Sequence, residues 1–246
     1  MPSHETADRP FYTDLSRYYD GVFTVAPEEM AFLATRLRGR SPLLDVGCGT
    51  GNRTEHLAGE GGIIHAVDLD EGMIEHAEKA HAGPGISYGV MDMMRIDTGF
   101  AGTAFGAVLC LGNTLVHLDF PDAMTSFCRK AHALLQPGGL LVLQILNYDR
   151  ILERGISSLP DLESPEALFS RRYEWENGRM HFVTDLRNKS TGETAHGDAI
   201  LYPLRKAELD TMLHETGFSG TEYYGSYSGA PFTDDSFILL SISRRE

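Results

Sequence analysis

A chain of 246 residues with an apolar fraction of 42% is long enough to bury a sizeable core as one domain, with room for an insertion. Lys+Arg 21 against Asp+Glu 35 leaves a net charge of −14, which argues against nucleic acid or an anionic membrane surface as partner. No apolar run approaches the roughly 18 residues of a membrane span, and the first residues lack the basic and apolar regions of a signal peptide.

From Phe11 to Phe23, Leu15, Tyr18, Tyr19 and Val22 fall at helical spacing, and Pro27 opens a second helix with Met30, Leu33 and Leu37 on one face. These helices, within residues 1–40, are expected to cap the core of the fold, with Tyr12, Tyr18 and Tyr19 placed to line a cleft. Leu43 to Val46 reads as a short buried strand running into Gly47-Cys48-Gly49-Thr50-Gly51 and a helix from Asn52. Glycines there permit positive φ and close backbone approach, and the N–H groups of a helix start can bond a polar ligand. The same glycines also suit a turn needed only for steric reasons. A second apolar run, Ile63 to Val67, ends in Asp68, seventeen residues past Gly51. A carboxylate at that distance can accept from two ribose hydroxyls, so the pair of features reads as a site for a nucleoside-containing cofactor.

Asp70 to Ala80 has a helical pattern closed by Gly83-Pro84-Gly85. Ile86 to Val90 is a third strand with Met91-Asp92-Met93 at its tip, and Phe105 to Leu111 is a near-continuous apolar run suited to a strand covered on both faces. Phe120-Pro121 opens a helix through Leu135, stopped by Gln136-Pro137-Gly138-Gly139, and Leu140 to Leu146 is the fifth strand. Strands alternating with helices imply a doubly wound, mostly parallel sheet, which binds ligands beyond its carboxyl ends where the strand order reverses. Asp68, Asp92, Asn113 and Tyr148 all fall at such ends.

From about Ile151 the pattern changes. Asn177-Gly178 between two alternating runs signals a β-hairpin, and a further strand ends at Tyr202-Pro203. Residues 151–203 are therefore expected to form a small antiparallel insertion lying over the strand ends as a lid. A helix through Leu209 and Leu213 and two closing strands, Thr221 to Tyr227 and Ser236 to Ser243, return to the sheet. The core is then 41–150 together with 204–246, an α/β fold with seven strands. Cys48, Cys110 and Cys128 are odd in number and lack a C-x-x-C pair, the usage of a cytoplasmic protein with reduced thiols. The ten histidines show no H-E-x-x-H and no Cys/His ligand spacing, so no metal site is expected.

Asp45-Val46-Gly47-Cys48-Gly49-Thr50-Gly51, Asp68, Asp92 and the Leu135-Gln136-Pro137-Gly138-Gly139 turn resemble the class I S-adenosylmethionine-dependent methyltransferases, which have a Rossmann-like fold. Leu111-Gly112-Asn113-Thr114-Leu115-Val116-His117-Leu118, Asn147-Tyr148-Asp149 and Tyr224-Gly225-Ser226-Tyr227 look like the glycine and sarcosine N-methyltransferases among them. The resemblance implies S-adenosylmethionine as cofactor, S-adenosylhomocysteine as product and a small-molecule methyl acceptor, with the oligomeric state left open. It assigns Tyr12, Tyr19, Asp45, Gly47, Cys48, Gly49, Gly51, Asp68, Leu69, Met73, Asp92, Met93, Leu111 and Asn113 to the cofactor. Asn113, His117 and Tyr148 are the expected catalytic residues: Asn113 to orient the acceptor or the cofactor's ammonium, His117 as a cofactor contact or base, and Tyr148 in the acceptor site. The expected reaction is N-methylation by direct in-line transfer, with O- or C-methylation as the alternative.

One departure bears on the acceptor. The glycine N-methyltransferases carry a carboxylate-gripping arginine immediately before the Asn-Tyr pair, and here that position is Leu146. This points away from glycine unless Arg171 or Arg172 supplies the charge. Two further readings use the same motif: an NAD-dependent oxidoreductase, against which the third glycine stands one residue early, and a non-catalytic S-adenosylmethionine-binding protein.

Overall fold

The computed structural model describes residues 9–58 and 62–246, with side chains described from Ser16 onward. Two helices, α1 (Arg9–Val22) and α2 (Pro27–Leu37), lead into β1 (Leu43–Val46), α3 (Asn52–Ala58), β2 (Ile64–Asp68), α4 (Glu71–Ala80) and β3 (Ile86–Val90). Then come the short α5 (Ile96–Gly99), β4 (Phe105–Cys110), α6 (Pro121–Leu134), β5 (Leu135–Leu146) and α7 (Tyr148–Glu153). Four strands come next, β6 (Ser158–Glu163), β7 (Ala167–Glu176), β8 (Arg179–Asn188) and β9 (Thr194–Leu201), before α8 (Lys206–Glu215), β10 (Phe218–Tyr224) and β11 (Ile238–Arg245) close the fold.

The main sheet has seven strands in the order β10-β11-β5-β4-β1-β2-β3. The pairs β1–β2, β1–β4, β2–β3 and β4–β5 are parallel, and β11 runs antiparallel to both β5 and β10. Burial explains the central strands. Every residue of β1 and β4 is buried, as apolar strands covered by helices on both faces must be. Along β4 the side chains alternate between layers: Val108 and Cys110 join Met124, Phe127 and Cys128 of α6, while Ala107 and Leu109 join Leu33 and Leu37 of α2. β3, at the edge, is only half covered.

The second sheet is antiparallel, in the order β6-β7-β8-β9. The β7–β8 turn is Asn177-Gly178 with φ of 50° and 76°, the left-handed pair a two-residue hairpin requires. Two elements escape the sequence pattern. β6 contains Pro160 and three acidic or polar residues, and it pairs with β7 through an irregular register. α7 is a short helix capped by the Asn147 side chain, which accepts from Arg150 N–H. β5 begins at Leu135, earlier than Leu140, because Leu135 pairs with Phe105 ahead of a bulge. Among the described residues no helix is long and apolar enough to cross a membrane.

Candidate functional site

Strand order reverses between β1 and β4, and the loops that leave these two strands face each other there. Between them lies a solvent-connected cleft lined by Tyr19, Asp45, Gly47, Cys48, Arg53, Leu111, Gly112 and Thr114. The glycine loop is stitched to the end of β2. Gly47 and Cys48 donate to the Val67 carbonyl at 2.7 and 3.1 Å, and Gly49 N–H donates to Asp68 Oδ2 at 2.9 Å. Asp68 Oδ1 accepts from Asp70 N–H at 3.0 Å. Gly47 has φ of 74°, and a Cβ there would stand 2.3 Å from Thr114 Cγ2. At Gly51, φ of 81°, a Cβ would meet the Tyr88 hydroxyl at 2.6 Å. Protein neighbours therefore forbid a side chain at these two positions, before any ligand is considered.

The cleft is electrostatically unbalanced toward cations. Burial, only partly offset by Thr54 and Arg53, pushes the Asp45 carboxyl up to about 6. Burial also raises Asp68, against the N–H groups of Asp70 and Gly49 that stabilise its anion. Desolvation and these two acids push the Cys48 thiol up, so it stays a thiol and is no nucleophile. Arg53, in the first turn of α3, donates from Nε to Glu29 Oε1 at 2.6 Å, within a pair whose Glu29 side chain is only 7% exposed.

The opposite wall is built on Asn113, which has φ of 70° beside Gly112 at the same angle. Asparagine tolerates this left-handed conformation better than most residues. Its Oδ1 accepts from Leu146 N–H at 2.9 Å and its Nδ2 donates to the Tyr148 hydroxyl at 3.0 Å, tying the end of β4 to the end of β5. Tyr148 is 1% exposed, and burial holds its hydroxyl well above the usual phenol range. His117 closes a single 3₁₀ turn, Leu115–His117, and burial, against the nearby Asp119, lowers its pKa to about 4.

The second sheet closes over this end. On β7 the alternating Phe169, Arg171 and Tyr173 face inward: Phe169 packs edge-on to Phe23, and the Tyr173 hydroxyl lies beside that of Tyr148. Arg172 points the other way, bound to Glu174 and Asp185 at 2.7 and 2.6 Å. Arg171 donates from Nη2 to the Pro160 carbonyl at 2.6 Å, while its buried Nε has no partner among the described residues. Tyr18 of α1 accepts from Asn188 Nδ2 at 2.7 Å, joining α1 to the same sheet.

Of the residues singled out in the sequence, Tyr19, Asp45, Gly47, Cys48 and Leu111 line the cleft, and Asp68 and Gly49 meet at its floor. Asn113 and Tyr148 meet each other. Met73 is buried against Val22 and Phe169, Leu69 is exposed at the end of β2, and Asp92 caps the turn Met93–Arg95 by accepting from Met94 N–H at 2.8 Å. Gly51 sits against Tyr88 rather than in the cleft. The Tyr12 side chain lies outside the described residues. Arg53 escaped the sequence reading, and Gly112 and Thr114 were read only as part of the Leu111–Leu118 motif, with no role in the cleft. Only the position of Arg53 in the first turn after the glycines signals it, and Thr114 is found only through its contact with Gly47.

A methyltransferase domain model matches residues 43–139 of the chain. The glycine/sarcosine N-methyltransferase of Aphanothece halophytica is 26% identical over 85% of this chain and 77% of its own length. The solved CcbJ methyltransferase of Streptomyces caelestis superposes with a TM-score of 0.80 at 23% identity, covering 97% of this chain and 99% of that one. An amino pentose methyltransferase, S-adenosylmethionine-bound CalS10 of Micromonospora echinaspora, gives 0.72 at 24% identity over 95% and 97%. The motif spacing, sheet order and family match agree and set the hydride-transfer reading aside. Residues 43–139 form a methyltransferase domain, and in motif, fold and sequence the chain resembles the class I S-adenosylmethionine-dependent methyltransferases.

Proposed function

We propose that the chain N-methylates a small-molecule amine beneath the four-stranded sheet. Bound in the cleft, S-adenosylmethionine supplies a methyl group on a cationic sulfur. The residues present fit it. Asp68 spends one lone pair of each oxygen on Gly49 and Asp70 and keeps the others for the two ribose hydroxyls. Arg53, anchored by Glu29, offers the remainder of its guanidinium to the carboxylate of the methionine part. The acidic field of Asp45 and Asp68 favours a cation between them and the Gly112 loop. Asn113, Tyr148 and Tyr173 shape the acceptor side, and β6 to β9 exclude water from it.

The observation that favours nitrogen over oxygen or carbon is the state of the titratable groups there. A neutral amine attacks without a base, whereas an alcohol or carbon acid must lose a proton. His117, near a pKa of about 4, is a poor base, and Tyr148 stays protonated. Arg171 further supports an amine that also carries an anion, since its buried Nε has no hydrogen-bond partner among the described residues. A mass-spectrometric screen of amino acids, N-methyl amino acids, amino sugars, phenols and carbon acids tests this. Transfer is expected to amines, and transfer confined to alcohols or carbon acids would overturn it. Arg171→Gln is expected to raise KM for anionic amines about 10–100-fold, the equivalent of one charge-assisted hydrogen bond of ~1.5–3 kcal/mol. Neutral amines should be affected little.

A pH dependence arises from Asp45. Because its folded-state pKa is raised to about 6, the native state gains a proton relative to the unfolded chain between pH 4 and 6, and that stabilising contribution is lost as pH rises through 6. A cationic ligand favours the ionised form. Binding of S-adenosylmethionine is therefore expected to strengthen from pH 5 to 7 with proton release near pH 6, read by calorimetry in buffers of different ionisation enthalpy. Asp45→Asn should abolish the release.

A further inference from the structure

Asp20, on the last turn of α1, reaches across to α4. Its Oδ2 lies 3.2 Å from His76 Nε2 and 2.8 Å from His81 Nε2. The three donor atoms all lie within 4.8 Å of one another, and all three residues are half-buried with access to solvent. Glu55, from α3, places Oε2 2.6 Å from His81 Nδ1. A carboxylate there orients the ring, and it would accept from Nδ1–H when a cation sits at Nε2. A cation between Nε2 and Asp20 would take the place of the proton that otherwise joins them. The second oxygen of Asp20 is engaged by the Thr50 hydroxyl of the glycine loop, so Oδ2 alone meets both imidazoles.

We propose that Asp20, His76 and His81 bind a divalent transition metal, zinc being the ion to test, and that the bound ion pins α1 to α4 beside the cofactor cleft. Two imidazole nitrogens and one carboxylate suit zinc, with solvent completing the sphere. Ligands at zinc's usual 2.0–2.1 Å stand about 3.3 Å apart in a tetrahedron. The Asp20 spacings of 3.2 and 2.8 Å need a small opening to reach that, and the two imidazole nitrogens lie within 4.8 Å of each other. Glu55 fills the outer role of carboxylate on the far nitrogen of a ligating histidine. The site is invisible as a sequence motif because Asp20 lies in α1 and His76 and His81 in and just after α4, far along the chain. The ion would stiffen one wall of the cleft, since α1 also carries Tyr19, whose ring lies 3.7 Å from where a Gly49 Cβ would be.

The site is independent of the acceptor's identity, and so is its test. Untagged protein, stripped with a chelator and dialysed, is titrated with zinc chloride at pH 7.5 and separately with cobalt(II), read by calorimetry and by the visible cobalt spectrum. One equivalent is expected to bind at micromolar concentration or tighter, with the intense visible bands of a four- or five-coordinate cobalt ion and a rise in Tm. His76→Ala and His81→Ala should each abolish saturable binding, while Glu55→Gln should weaken it about 10-fold, as loss of an outer carboxylate does. His181→Ala, which breaks the distant His181–Asp198 pair, should change nothing. Circular dichroism checks folding, and His76→Gln replaces any alanine variant that unfolds. Absence of saturable binding, or binding that survives both histidine substitutions, would overturn the proposal and leave a hydrogen-bonded network of histidines and carboxylates in its place.

Discussion

Asp68→Ala is expected to weaken S-adenosylmethionine and S-adenosylhomocysteine binding by about 100-fold or more. The carboxylate is the one group that both holds the glycine loop, through Gly49 N–H at 2.9 Å, and stands at the end of β2 where ribose would lie. Two charge-assisted hydrogen bonds to ribose contribute about 1.5–3 kcal/mol each, and every ~1.4 kcal/mol is a factor of ten. The variant also leaves Gly49 and Asp70 N–H groups without their acceptor, so a fall in Tm should accompany the loss. Asp68→Asn separates the two effects. It keeps one acceptor oxygen for the loop but cannot accept from both hydroxyls, so stability should recover further than affinity does. Calorimetric titration of all three proteins with both ligands decides it. Unchanged affinity in Asp68→Ala, with the fold intact, would remove Asp68 from the site and with it the proposed placement of the cofactor.

The second large effect is steric. Gly47→Ala forces a side chain into φ of 74° and sets its Cβ 2.3 Å from Thr114 Cγ2. The left-handed backbone costs about 1–2 kcal/mol and the overpacking about 1–3 kcal/mol. For a chain of this size that lowers Tm by roughly 5–15 °C, at about 2–4 °C per kcal/mol. Because the glycine loop and the loop after β4 line one cleft, cofactor binding should fail with it. Thr114→Ser removes the clashing methyl while keeping the hydroxyl that donates to the Leu111 carbonyl at 2.7 Å. The double variant should recover about 1–2 kcal/mol relative to additivity, leaving in place the backbone strain and the close approach to the hydroxyl oxygen at 2.9 Å. Thermal melts of the four proteins give the coupling, and additivity within a few tenths of a kcal/mol would mean that Thr114 moves aside at no cost.

These two residues also mark how far the sequence could be read. Asp68 was legible because a strand end and a glycine turn fix its distance from Gly51 along the chain. Thr114 was not, because nothing local ties it to Gly47; only the parallel pairing of β1 with β4 brings the two loops together. The parallel strands announced themselves as apolar runs, and the Asn177-Gly178 hairpin as left-handed turn residues. β6 carried neither signal, being half-polar and interrupted by Pro160. Asn113 was placed correctly at the end of β4, but its tie to Tyr148 and Leu146 depends on β5 lying next to β4. The direction of Arg171 and Arg172 required the face of β7 that meets Phe23 to be known.

The position of β11 has a consequence for biogenesis. It fills the slot between β5 and β10, pairing with Leu140 to Leu146 along almost its whole length. Until Ile238–Arg245 leaves the ribosome, the outer edge of β5 carries a row of unpaired amides and carbonyls on a strongly apolar strand. The nascent chain must hold that edge open while the antiparallel sheet and α8 are synthesised. Chaperone occupancy on the growing polypeptide should therefore peak after β5 emerges and fall only when β11 does.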